Sequence, residues 1–176
     1  MPARPSRPHR TWVVVCKNPS STSQCDYRTV TDALEALEFN RRSGDSGYRG
    51  KLRTIRVKPG TYSMSAEGGT IRLGGDGGLM SGSGSQPYAL VAFNDDNRPK
   101  FVGTCSRNQC RRTPKGYRQA IVVTGNWWLI DGIQVESVDW GVFVDGENIT
   151  IQNSRISNIF SFGVNIAHRV HGNVLI

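Results

Sequence analysis

The residues of this chain that could do chemistry are mostly cationic and aromatic. Arg56 and Lys58 alternate with Ile55 and Val57, Phe143 and Asp145 alternate with Val142 and Val144, and Asn165 lies between Val164 and Ile166. On a strand, residues between inward apolar ones face outward. This places Arg56, Lys58, Val122, Thr124, Phe143, Asp145 and Asn165 on one expected surface. After Ile166 the turn is longer than its counterpart after Val144, and the insertion adds His168, Arg169 and His171 beside that surface. Such a lane would hold a polyanion by charge, with Phe143 as a flat platform; the plainer reading of the insertion is a tolerated loop.

The net charge of +8 points the same way. Positive residues gather at Arg4, Arg7 and Arg10 and again at Arg107, Arg111, Arg112, Lys115 and Arg118. Two solvated loops would account for them as well as a polyanion partner would. No helix-turn-helix, zinc-finger or aromatic RNA-platform pattern accompanies the charge, which argues against nucleic acid. The vicinal acids Asp95 and Asp96 suit a turn.

The elements that must position these residues show as a repeat. Ala120-Ile-Val-Val-Thr-Gly-Asn-Trp-Trp-Leu-Ile-Asp-Gly-Ile133 aligns with Gly141-Val-Phe-Val-Asp-Gly-Glu-Asn-Ile-Thr-Ile-Gln-Asn153 at an offset of 21. Ile121 then falls on Val142, Val123 on Val144, Trp128 on Ile149, Ile130 on Ile151 and Val135 on Ile156. A third copy opens at Gly163 with Val164 and Ile166 and closes at Asn173-Val-Leu-Ile176. Alternation of apolar residues is the period of half-buried strands. A repeat this short cannot bury its apolar face alone, so copies must stack. The simplest object is an all-β parallel β-helix of about four to five coils of 21–25 residues, in which Ile121, Val123, Trp128, Ile130, Val142, Val144, Ile149, Ile151, Val164 and Ile166 point inward.

Residues 1–11 are rich in Pro and Arg and read as a disordered basic tail, and residues 12–176 as a single domain. Trp12 to Cys16 is expected to be a strand, too short for a signal-peptide core. Thr29 to Phe39 is the one good helix, with Thr29 and Asp32 as a capping pair and Val30, Ala33, Leu34, Ala36 and Leu37 as its apolar face. It would cover the open end of the coils. Ile55 and Val57 mark a strand, Pro59-Gly60 a turn, and Tyr88–Phe93 and Lys100–Val102 strands of the next coil, while the Gly- and Ser-rich residues 66–87 read as a flexible loop. The close cysteine pairs favour Cys16–Cys25 and Cys105–Cys110 disulfides, hence an oxidising compartment and a secreted protein, although no signal peptide is evident. The sequon Asn148-Ile-Thr150 falls at a strand junction and reads as structural. No apolar run is long enough to span a bilayer.

Thr29-Val-Thr-Asp-Ala-Leu34 followed by Thr54-Ile-Arg-Val-Lys-Pro-Gly-Thr-Tyr62 resembles the N-terminal cap and first coil of the pectin-lyase-like right-handed β-helix superfamily. Trp128-Leu-Ile-Asp-Gly-Ile133 and Gly141-Val-Phe-Val-Asp-Gly-Glu-Asn-Ile-Thr-Ile151 are similar to the middle coils of its polysaccharide lyases. The likeness covers residues 28–176. It implies a right-handed β-helix with an N-terminal capping helix, acting on an acidic, uronic-acid polysaccharide by β-elimination. The alternative is a non-catalytic glycan-binding β-helix of an adhesin or phage tail spike. In such lyases calcium held by clustered acids neutralises the sugar carboxylate and a Lys or Arg takes the C5 proton. No position of this chain matches those catalytic residues, so the resemblance names neither a base nor a metal ligand, and the candidate substrate surface stays the one read from alternation and the longer turn: Arg56, Lys58, Phe143, Asp145, Asn165, His168 and Arg169. Ile176 aligns with Ile151 in mid-coil, and the reading expects a chain truncated at its C-terminus, with self-association through an open edge.

Overall fold

The computed structural model describes residues 11–17, 24–42, 52–75, 80–94, 96–103, 119–167, 170 and 174–176. Strands dominate: β1 (Trp12–Val15), β2 (Thr54–Val57), β3 (Thr61–Ser63), β4 (Ile71–Leu73), β5 (Tyr88–Ala92), β6 (Lys100–Val102), β7 (Gln119–Val123), β8 (Trp128–Asp131), β9 (Gln134–Glu136), β10 (Trp140–Val144), β11 (Ile149–Gln152), β12 (Arg155–Ser157), β13 (Phe162–Ile166) and β14 (Val174–Leu175). The single helix among the described residues, α1, spans Val30–Arg42. All neighbours in the three sheets are parallel. The first sheet runs β1-β2-β5-β8-β11-β14, the second β12-β9-β6-β3 and the third β13-β10-β7-β4. The chain therefore visits first, second and third sheet in turn, four times over. The described residues are mostly strands in parallel sheets, with one helix, consistent with the expected all-β parallel class.

Register follows the apolar pattern. In the first sheet Val13, Ile55, Leu90, Ile130 and Ile151 stack in one inward column. Tyr62, Phe101, Val135 and Ile156 do so in the second. Ile121 pairs with Val142 and Val142 with Val164 in the third. One apolar cluster runs through the interior and joins all three columns. Of the ten residues expected inward, eight are buried and Val164 is half-buried against the core. Ile166 is the correction, at 43% exposed. It stands on β13, the edge strand of its sheet, where no described strand covers its far side.

The strands are short because the backbone turns sharply at each corner. Trp127, Ser137, Asn148, Asn153 and Asn158 all have positive φ, between 48 and 58°. Most are arranged by repeat: Ser137 is followed 21 residues later by Asn158, and Trp127 by Asn148. Gly132, φ 70°, holds the place that Asn153 takes one repeat on. Gly and Asn enter this left-handed region readily; for a bulky side chain it costs about 1–2 kcal/mol.

Helix α1 begins one residue after its cap, Thr29, whose Oγ1 accepts the Asp32 N–H at 3.0 Å. Val30, Ala33, Leu34, Ala36 and Leu37 are buried, and the helix packs against β1, β2 and β4. It runs three residues past the expected Phe39, ending with Arg41 and Arg42 in the last turn, where cations suit the helix dipole. The Cys16–Cys25 disulfide is formed; Cys105 and Cys110 lie outside the described residues, as do residues 1–10 of the tail. The expected loop at 66–87 is corrected in part: β4 lies within it, and the inward Ile71 and Leu73 are fully buried beneath β7. No helix is long and apolar enough to cross a membrane among the described residues.

Candidate functional site

The third sheet carries the most distinctive outward face. Along β4, β7, β10 and β13 the residues between the inward ones are Arg72, Val122, Phe143 and Asn165, and they stand in one register column. A strand step of about 4.8 Å makes this column about 14 Å long. The adjacent column pairs Gln119 with Trp140 and Trp140 with Phe162. The three rings form one patch. Trp140 and Phe143 have centroids 5.9 Å apart, and Trp140 meets Phe162 edge-on at 5.3 Å. Phe162 is 49% exposed, and Trp140 and Phe143 are half-buried.

Polar groups flank the rings. Arg72 is exposed and makes no ion pair with a described residue. Asn165 sits beside Phe143 in register. Asp145 follows β10 at the corner, its N–H donating to the Val123 carbonyl at 2.8 Å. Thr124, expected outward, instead donates its hydroxyl to the Gly75 carbonyl at 3.1 Å and so fastens the corner. Val122 does occupy the outward column but is 4% exposed, because it is flanked by the longer Arg72 and Phe143.

The expected lane is thus brought together only in part. Phe143, Asp145 and Asn165 share the third sheet or its corner. Arg56 and Lys58 do not: β2 pairs with β1 and β5, so Ile55 stacks on Leu90, and both cations project from the first sheet. The Arg56 guanidinium lies 4.8 Å from the Trp12 ring and Lys58 Nζ lies 5.3 Å from the Phe93 ring. Alternation alone could not separate a strand of the first sheet from one of the third. His168, Arg169 and His171 lie outside the described residues, as do Asp95 and the basic cluster from Arg107 to Arg118.

Trp140, Phe162 and Arg72 were missed from sequence. A signal existed for the first two: each precedes a glycine at the head of its repeat, as Trp140-Gly141 and Phe162-Gly163. Arg72 was hidden in the stretch read as loop. Glu67, also missed, is 2% exposed. Its Oε2 accepts the N–H groups of Val30 at 2.8 Å and Thr31 at 3.1 Å, so it caps α1 from a distant turn. Burial pushes its carboxyl up to about 7, against the pull of those donors. It lines a cleft of about 460 Å³ with Lys17, Arg28 and Tyr62.

Among the described residues no three His, Cys, Asp or Glu come together to hold a metal ion. Asp131 accepts from Gln152 and Asn153 at 3.0 Å each, and Asp139 accepts from the Ser161 hydroxyl. Comparison with known proteins adds nothing: no family model, no curated protein and no solved structure matches this chain.

Proposed function

We propose that this chain is a right-handed parallel β-helix of the pectin-lyase-like kind, whose third sheet holds an acidic polysaccharide as part of a secreted polysaccharide lyase. The observation that carries the reading is the Trp140–Phe143–Phe162 patch in register with Arg72 and Asn165. A uronic-acid polymer offers flat C–H ring faces, carboxylates and hydroxyls. The rings would take the first, the Arg72 guanidinium the second and the Asn165 amide the third. The four successive passes through the three parallel sheets and the capping helix support the architecture. The Cys16–Cys25 disulfide supports an oxidising compartment.

Elimination requires a base at the sugar C5 and neutralisation of its carboxylate, and the described residues assign neither role beyond Arg72 as a carboxylate partner. A non-catalytic glycan-binding β-helix is therefore the second reading, favoured by the same patch, beside which the described residues assign no base. Calorimetric titration with hexagalacturonate and an alginate hexasaccharide, in low and moderate salt, tests the shared part. Wild type should bind with a salt-sensitive affinity, and Arg72→Ala and Phe162→Ala should each bind several-fold more weakly. Absence of binding in low salt, or unaltered affinity in both variants, would overturn it. Unsaturated-uronide absorbance with and without calcium then separates the readings: its appearance supports the lyase, and binding without it the non-catalytic protein.

A further inference from the structure

The corner between β7 and β8 carries a residue that its backbone does not favour. Trp127 has φ 58°, and the equivalent corner before β11 holds Asn148 with φ 56°. Asn tolerates this conformation, whereas a bulky side chain in it is an outlier. The corner's bonds are made by main chain that any residue would supply. Trp127 N–H donates to the Glu147 carbonyl at 2.9 Å, and the Tyr88 N–H donates to the Trp127 carbonyl at 3.0 Å. The core does not need the indole either, since Trp127 is 37% exposed. Strain retained at an exposed aromatic is the kind of outlier that points to a role.

The surroundings make room for that ring. A Cβ at Gly84 would lie 3.2 Å from two carbons of the indole, so the ring lies close over bare backbone. Beside it opens a cleft of about 430 Å³, lined by Pro87, Leu129, Asn148 and Thr150 as well as by Trp127 and Gly84. No charged side chain is among its described lining residues. Leu129 and Thr150 are outward neighbours in the first sheet. The side chains of Asn148 and Thr150 make no hydrogen bond with a described residue, which leaves an amide and a hydroxyl to serve a ligand.

We infer that this cleft is a second carbohydrate site, taking one uncharged pyranose ring with its C–H face against the Trp127 indole and its hydroxyls on Asn148 and Thr150. The ligand class, though not the surface, rests on the glycan reading above. A ring that is flat and apolar on one side and rimmed with hydroxyls matches an aromatic wall beside neutral polar groups; an anion would find no cation among the described lining residues. The cleft lies on the first sheet, apart from the aromatic patch of the third.

The test is calorimetric titration of wild type, Trp127→Asn, Trp127→Phe and Thr150→Val with cellohexaose, xylohexaose, mannohexaose and hexagalacturonate, beside thermal unfolding of each protein. At least one neutral oligosaccharide should bind wild type, and Trp127→Asn should weaken it about tenfold or more, while Trp127→Phe retains most of the affinity. Trp127→Asn should melt no lower than wild type, because Asn suits the corner. Thr150→Val removes one surface hydroxyl and should weaken the same sugar several-fold, which keeps the test valid if the Trp127 variants fail to fold. Neutral sugars that bind none of the proteins, or bind all of them equally, would overturn the inference. A lower melting temperature in Trp127→Asn with unchanged sugar binding would instead make the indole a clasp for the turn at residues 83–86. Arg72→Ala separates the two surfaces: it should weaken hexagalacturonate without altering the neutral sugar.

Discussion

Replacing Glu67 by glutamine should flatten the pH dependence of stability between about pH 4.5 and 7. The carboxyl is raised from its ordinary 4.5 to about 7, first by burial and further by the nearby Asp32 charge, while the N–H groups of Thr31 and Val30 and the Thr31 hydroxyl oppose the shift. The folded state therefore holds a proton that the unfolded state releases. Stability contributed this way is fully present below about pH 4.5, falls as pH rises through the folded value, and levels off above it. The interval from 4.5 to about 7 corresponds to about 3 kcal/mol. Urea unfolding at pH 5, 6, 7 and 8 would measure it. Glutamine keeps an oxygen for the Val30 N–H without the charge, so Glu67→Gln should be close to wild type at pH 5 and more stable than wild type at pH 8. Glu67→Ala leaves two helix N–H groups without their acceptor and should lose about 2–3 kcal/mol at pH 5, a deficit that shrinks toward pH 8 because the variant also lacks the titrating carboxyl. If Glu67→Gln retained the wild-type slope from pH 5 to 7, another group would be titrating and the assignment would fail.

Reducing the Cys16–Cys25 bond, or replacing both cysteines by serine, releases a loop of sequence separation 9 and should lower stability by about 2–3 kcal/mol, read as a lower denaturation midpoint; an unchanged midpoint would refute that. Gly125→Ala would set a Cβ 2.4 Å from the Met80 carbonyl oxygen and 2.7 Å from Trp128 Nε1, which itself donates to that carbonyl at 2.8 Å. The overpacking should cost about 1–3 kcal/mol in thermal unfolding, and a neutral effect would show that this corner is looser than described.

What the sequence determined by itself was the stacking register of its repeats. Ile121 on Val142, Val123 on Val144 and Val135 on Ile156 are pairs of the folded sheets, because the period between those strands is uniform and a slip by one residue would turn the apolar set outward. Helix α1 was legible for a similar reason: its buried face and its cap are local. Tertiary structure alone decided which sheet an early strand joins. Ile55-Arg-Val57 has the same alternation as Ile121-Val-Val123, yet it lies one sheet away, because connections of unequal length reach the same stacked end point. The step from Thr54 to its partner Ala89 is 35 residues, against 21 from Leu129 to Thr150. For the same reason Arg56 and Lys58 left the expected lane, and Trp140, Phe162 and Arg72 took its place. Alternation separates inside from outside but does not reveal what flanks a side chain, so Val122 is outward and still buried. Glu67 meets the α1 N-terminus across 37 residues, and Trp127 is strained only in a corner whose conformation the next repeat shares. Both depend on groups that the stacking of distant segments brings together, which no local pattern in the sequence encodes.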